Sequence, residues 1–114
     1  MRSTAEVFDD HLERRTAGDL EGDLAHNYAP DVILLCEHGP RTGRDSVRES
    51  AEQLAKQLPD ASFEYLVKHV DREYALLFWR ADSLKARAEH GVDSFVIRDG
   101  RIVMQSVYYA LEEK

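Results

Sequence analysis

Asp93 is the residue best placed for chemistry. It lies in Gly91-Val-Asp-Ser-Phe-Val-Ile-Arg-Asp-Gly-Arg-Ile-Val103, two apolar runs joined at Asp99-Gly100. Asp-Gly between such runs is a strong hairpin signal, because both turn positions tolerate positive φ. Side chains alternate along a strand, so Asp93 shares a face with Phe95 and Ile97, and Val92, Ser94, Val96 and Arg98 share the other. The first set is the natural core face and places a carboxyl group among apolar side chains. A buried acid must be paired, hydrogen-bonded or protonated, and each state can serve a binding site. Two roles are open. Asp93 either faces a pocket, as a hydrogen-bond donor to an oxyanion or as a base, or it is a structural acid paired to an arginine such as Arg80.

Other side chains could share this chemistry. His11, on a helix face with Phe8 and Leu12, is a candidate proton carrier. On the last strand Gln105, Val107 and Tyr109 share one face, and Met104, Ser106 and Tyr108 the other. Tyr28 and Tyr65 either line the same pocket as Asp93 or are ordinary core aromatics. Cys36 ends an apolar strand and reads as a small buried hydrophobe or as a nucleophile. His26, His38, His69 and His90 are scattered, and no HxH, HxxxH or CxxC pattern occurs, so no metal site is expected. Glycine-rich phosphate loops are missing too, so the expected chemistry needs no cofactor.

The elements that must position these groups follow from periodicity. Ser3 or Thr4 caps a first helix that Gly18 ends, and Asp19 caps a second through about Tyr28, broken by Ala29-Pro30-Asp31. Val32 to Cys36 is a short strand, and His38 to Gly43 a loop. Asp45 to Leu58 is a third helix, closed by Pro59. Ser62 to Val70 alternates, with Phe63, Tyr65, Val67 and His69 on one face. Tyr74 to Ala81 can bury either Ala75, Leu77, Trp79 and Ala81 or Tyr74, Leu76, Phe78, Arg80 and Asp82; periodicity alone buries the first set, which carries no charge. A looser connection over 82–88 leads to the Asp93 strand, and Arg101 to Leu111 finishes the sheet. Three helices followed by four long antiparallel strands make one α+β domain, with the helices on one face of a curved sheet.

Composition bounds the partners. The 114 residues suit a single domain, and 43% apolar with 32% charged residues describes an ordinary globular chain. The net charge of −7, with no basic run longer than Arg14-Arg15, disfavours nucleic acid and anionic membranes as partners. The single cysteine and the lack of a long apolar stretch suit a reducing cytoplasm.

Four stretches carry a family resemblance: Ala17-Gly-Asp-Leu-Glu-Gly22, Tyr28-Ala-Pro-Asp-Val32, Gly39-Pro-Arg-Thr-Gly-Arg44 with Val47-Arg48-Glu49, and Val92-Asp-Ser-Phe95 with Asp99-Gly-Arg-Ile102. In order and spacing the chain resembles the nuclear transport factor 2-like superfamily, in its SnoaL-like and ketosteroid isomerase-like branch. The resemblance implies a cone-shaped, cystatin-like α+β barrel, a deep apolar pocket for a small apolar or weakly polar molecule, and a homodimer through the outer sheet face. Activities across that superfamily differ, so fold alone does not give the reaction. Asp93 falls where the isomerases hold a carboxyl donor to the oxyanion. His11 stands where they have a tyrosine, Cys36 where they have an aspartate base, and Ala51 where a supporting tyrosine lies. These departures argue against the usual steroid-isomerase route. The resemblance also favours Phe78 and Arg80 as pocket-facing, with Trp79 at the outer sheet face. It points Gln105, Val107 and Tyr109 inward, where Gln105 and Tyr109 would give neutral hydrogen-bonding groups to a mostly apolar cavity that Phe95, on the face of Asp93, also lines.

Overall fold

The computed structural model describes residues 1–114. Helix α1 (Thr4–Thr16) starts at a capping box: the Ser3 hydroxyl accepts from Glu6 N, and Glu6 accepts from Ser3 N. It buries Val7, Phe8, His11 and Leu12, one stripe at helical spacing, and gives way at Gly18, whose φ of +76° stops the helix. Asp19 caps α2 (Leu20–Asn27) by accepting from Gly22 N. Helix α3 (Arg44–Gln57) follows strands β1 (Tyr28–Cys36) and β2 (Gly39–Thr42), and ends as Leu58 N–H donates to the Leu54 carbonyl. Then come β3 (Ser62–Asp71), β4 (Tyr74–Asp82), β5 (Ala86–Arg98), β6 (Arg101–Tyr108) and the short β7 (Glu112–Glu113).

The helices pack on the inner face of one curved sheet of order β2-β1-β6-β5-β4-β3, with β7 attached to β5. Strands β3 to β6 are antiparallel, but β1 runs parallel to β6. The sheet is therefore mixed and open at its edges, not wholly antiparallel: the β1–β6 link comes after intervening helix and sheet, not through a hairpin. Residues 39–42, expected in a loop, form a strand against Ile33–Cys36. β5 also begins earlier than expected, at Ala86, because small Ala86 and Ala88 point inward between charged Arg87 and Glu89. The core joins Val7, Phe8, Leu12, Leu24, Val47 and Leu58 to the inward residues of β4, β5 and β6. No helix is long and apolar enough to cross a membrane.

Irregular pairing re-aims side chains. In β3 the register shifts between Tyr65 and Val67, so Phe63 and Tyr65 face inward opposite Ala81 and Trp79. Val67 and His69 instead lie opposite Phe78 and Leu76 on the outer face, which corrects the single-face reading of that strand. In β4 the uncharged set is the buried one: Ala75, Leu77, Trp79 and Ala81 are each at most 4% exposed. Phe78 and Arg80 point outward, and the Arg80 guanidinium donates to Glu64 at 3.0 and 3.2 Å instead of pairing with Asp93. The placement of Phe78 and Arg80 in the pocket is thus corrected. An exposed guanidinium keeps its hydration, and the bare indole gains by burial. Gly91 makes room for that indole: a Cβ there would stand 2.1 Å from Trp79 Cε2.

Candidate functional site

Between the helices and the sheet lies a chamber of about 520 Å3, lined by 22 residues of which 14 are hydrophobic. Its polar wall and the buried groups behind that wall come from six elements. Helix α1 contributes His11 and Arg15, one turn apart and therefore on one face. Helix α2 brings Asp23 and Asn27 at the same spacing. Tyr28 comes from the start of β1, Trp79 from β4, Asp93 from β5 and Gln105 from β6.

Two hydrogen-bonded groups result. In the first, Asp93 accepts from Trp79 Nε1 at 3.0 Å and from Gln105 Nε2 at 3.1 Å. The Gln105 amide is held from both ends, because its Oε1 accepts from the Tyr28 hydroxyl at 2.6 Å. In the second, His11 Nδ1 lies 2.8 Å from Asp23 Oδ2, which also accepts from Arg15 Nε at 2.6 Å. Asn27 Nδ2 donates to the other Asp23 oxygen at 2.8 Å. The Arg15 guanidinium reaches to 3.5 Å from the Tyr28 hydroxyl, so its charge stands between the two groups.

Electrostatics drives the two aspartates apart. Burial pushes the Asp93 carboxyl above its ordinary value, and the donors Trp79 and Gln105 and the nearby His11 and Arg15 only partly oppose it. Burial acts the same way on Asp23, but His11, Arg15 and Asn27 outweigh it and hold that carboxyl below its usual range. Burial also raises the Tyr28 phenol, which keeps it a proton donor towards Gln105. An ionised Asp23 accepts only, so His11 Nδ1 carries the proton of that bond. His11 is 3% exposed, and no fully buried side-chain nitrogen or oxygen lacks a partner. Its Nε2, which has no protein partner, therefore keeps its contact with the chamber. The arrangement offers a carboxylate of raised basicity and an imidazole nitrogen to one mostly apolar space.

Of the residues singled out in the sequence, His11, Tyr65, Asp93, Gln105 and Tyr109 line this chamber. Tyr28 and Phe95 are fully buried behind it: Tyr28 steers Gln105, and the Phe95 ring packs on His11 at a centroid distance of 5.2 Å. Cys36 lies outside, in a neighbouring cavity with its thiol 3.6 Å from the Gly39 carbonyl, which corrects its assignment to the main pocket. Cys36 shares a strand face with Leu34, which lines both cavities, but stands two residues farther along β1 and so falls in the second. Sequence reasoning missed Arg15, Asp23 and the inward Trp79. The i, i+4 pairs His11/Arg15 and Asp23/Asn27 were available signals, whereas the closure between the two helices was not. No group of three or more His, Cys, Asp or Glu side chains is arranged to hold a metal ion.

Comparison with known proteins agrees with this architecture. No curated protein matches the sequence. Among solved structures, an NTF2-like protein of unknown function from Burkholderia xenovorans LB400 superposes with a TM-score of 0.76 at 16% identity, covering 94% of this chain and 82% of the other. A candidate SnoaL-like polyketide cyclase from Mesorhizobium loti gives 0.71 at 16% identity, over 95% of this chain and 100% of the other. AclR, a candidate hydroxylase from Streptomyces galilaeus, gives 0.76 at 17% identity, with 94% and 88% covered. At these identities the likeness is one of fold. The SnoaL-like domain matches residues 8–105, nearly the whole of the helices, chamber and sheet just described, and the chain belongs to that family.

Proposed function

We propose that this chain binds a small apolar or weakly polar molecule in the 520 Å3 chamber and carries out cofactor-free acid–base chemistry on it. The observation that carries this reading is the placement of Asp93, held by two N–H donors in the wall of an apolar chamber that His11 also reaches. Isomerisation, dehydration and cyclisation of carbonyl compounds share one step, removal of a proton from carbon next to the carbonyl. Asp93 takes that proton onto a carboxylate oxygen and can return it to another carbon. Trp79 and Gln105 hold the carboxylate so that it need not reorient. His11 Nε2 exchanges a proton with the ligand oxygen, as acceptor in the neutral ring and donor in the imidazolium, while Asp23 fixes the ring.

A second reading, a non-catalytic binding module, draws on one feature: the position where the resemblance expects a base is Cys36, outside the chamber. A thermal-shift and native mass-spectrometry screen against steroids, terpenoids, aromatic polyketides and hydroxy acids, repeated with Asp93→Asn, tests the site. Ligand stabilisation that disappears in Asp93→Asn supports it, and stabilisation indifferent to that substitution sinks it. Saturable binding with no proton exchange leaves only the second reading.

Homodimerisation through the outer sheet face belongs to the same proposal. Phe78, Val92 and Tyr108 lie in register across β4, β5 and β6, and Tyr74, Val96, Met104 and Ile33 form a parallel rung that reaches β1. Phe78, Tyr74 and Tyr108 are 39%, 53% and 57% exposed, a large apolar outlay for a lone subunit. The unpaired thiol Cys36 supports a cytoplasmic location.

A further inference from the structure

A second cavity, of about 370 Å3, abuts the first. The two share Leu34, Ser50, Val107 and Tyr109 in their walls. Between them stands the Tyr109 ring, packed on Trp79 at 5.6 Å, its hydroxyl donating to Gln57 Oε1. Glu37 lines the cavity on one side of that ring and Asp93 the chamber on the other, as expected for a partition. Tyr109 follows β6 in a segment, 109–111, that pairs with no strand, so the partition is anchored by side chains and can yield.

The second cavity differs in chemistry. Half of its 14 lining residues are hydrophobic, against 14 of 22 in the first. Its one cation is already matched, because Arg41 Nη1 pairs with Glu49 at 3.2 Å, while Glu37 has the His38 ring 3.8 Å away. No free cation is left to call for an anionic ligand. What remains are donors and acceptors side by side, on Arg41, Glu37, Gln53 and Ser50, the setting for groups that both give and accept hydrogen bonds.

We propose that this cavity is a subsite for a neutral, hydroxyl-bearing tail, and that the ligand is elongated, with an apolar body beside Asp93 and its polar end past Tyr109. This rests on the proposed function of the first chamber. The test uses two fluorescent probes sharing one body, 2-naphthol and 2-naphthyl β-D-glucopyranoside, titrated into the native protein and into Asp93→Asn, Arg80→Gln and the double variant Arg41→Met/Gln53→Leu. Arg41 and Gln53 are both exposed, so the double variant is expected to fold. The glucoside should bind about tenfold more tightly than the naphthol, the size of one added hydrogen bond to a charged group. The double variant should erase that gain and leave naphthol binding unchanged, and Arg80→Gln should alter neither. Equal or weaker glucoside binding, with naphthol still sensitive to Asp93→Asn, overturns the subsite and spares the first chamber. Naphthol binding indifferent to Asp93→Asn, or no binding of either probe, overturns both.

Discussion

Replacing Trp79 by phenylalanine isolates one of the two bonds that hold Asp93. Phenylalanine keeps an aromatic ring in the row formed by Phe63, Trp79 and Tyr109, whose neighbouring centroids are 5.7 and 5.6 Å apart. It cannot donate, so the 3.0 Å bond from Nε1 to Asp93 is lost. A hydrogen bond to an ionised acceptor contributes about 1.5–3 kcal/mol, and one pKa unit corresponds to about 1.4 kcal/mol. The Asp93 carboxyl, already raised by burial, should therefore rise further by about 1–2 units. Between its unfolded and folded values the folded protein binds more protons than the unfolded chain. Stability thus falls as pH climbs through that window and levels off above the folded value. Trp79→Phe extends the window upward and lowers stability above it by about 1.5–3 kcal/mol, beyond any loss of packing. A carbon-13 titration of the Asp93 carboxyl, assigned by difference against Asp93→Asn, reads the shift directly. An unchanged or lowered value would refute the claim that the indole stabilises the ionised form.

Other perturbations probe neighbouring parts. Gly91→Ala sets a methyl 2.1 Å from the Trp79 ring, and the forced displacement should cost about 1–3 kcal/mol in urea unfolding while weakening the indole bond to Asp93. Asp23→Ala strips His11, Arg15 and Asn27 of their shared acceptor and leaves a mostly buried guanidinium unpaired, a loss of about 3–5 kcal/mol by the same measurement. The sign of the Asp23 effect with pH is opposite to that of Asp93: its lowered carboxyl adds stability above the unfolded value, which disappears as pH falls through the folded one. Acid unfolding of Asp23→Asn should accordingly show a shallower loss of stability, and an unaltered slope would deny that Asp23 is ionised in the fold. If the proposed outer-face dimer forms, light scattering should find dimers for the native chain and monomers for Val92→Asp, which puts a charge in the middle of the Phe78–Val92–Tyr108 rung.

Local patterns made much of this fold legible. Capping at Ser3 and Asp19, the Asp99-Gly100 turn and the break at Pro59 are encoded within a few residues, and the helices and hairpins follow them. The parallel partner of β1 is a long-range choice that no local signal carries. Bulges hid more of the site. An extra residue at Leu66 turned Val67 outward, and the irregularity opposite Arg80 made the β4 register ambiguous until packing decided it. For Trp79 the plain rule, that the uncharged face is buried, outperformed the family resemblance. Asp93 could be placed from alternation alone, because no bulge separates it from its inward neighbour Phe95, whereas the inward turn of Gln105 was implied by the family resemblance. Arg15 and Asp23 could not, since their meeting depends on how α1 and α2 close on each other.

Proton removal by Asp93 is tested most directly by deuterium wash-in. 2-Tetralone, an enolisable bicyclic ketone small enough for the 520 Å3 chamber, is incubated with the protein in D2O and its α-protons are followed by proton NMR. The native protein should speed exchange by about a hundredfold or more over buffer at the same pH, the range of general base catalysis, and Asp93→Asn should bring the rate back to that of buffer. Exchange that is no faster than buffer, or equally fast in Asp93→Asn, would contradict the assignment of Asp93 as the base.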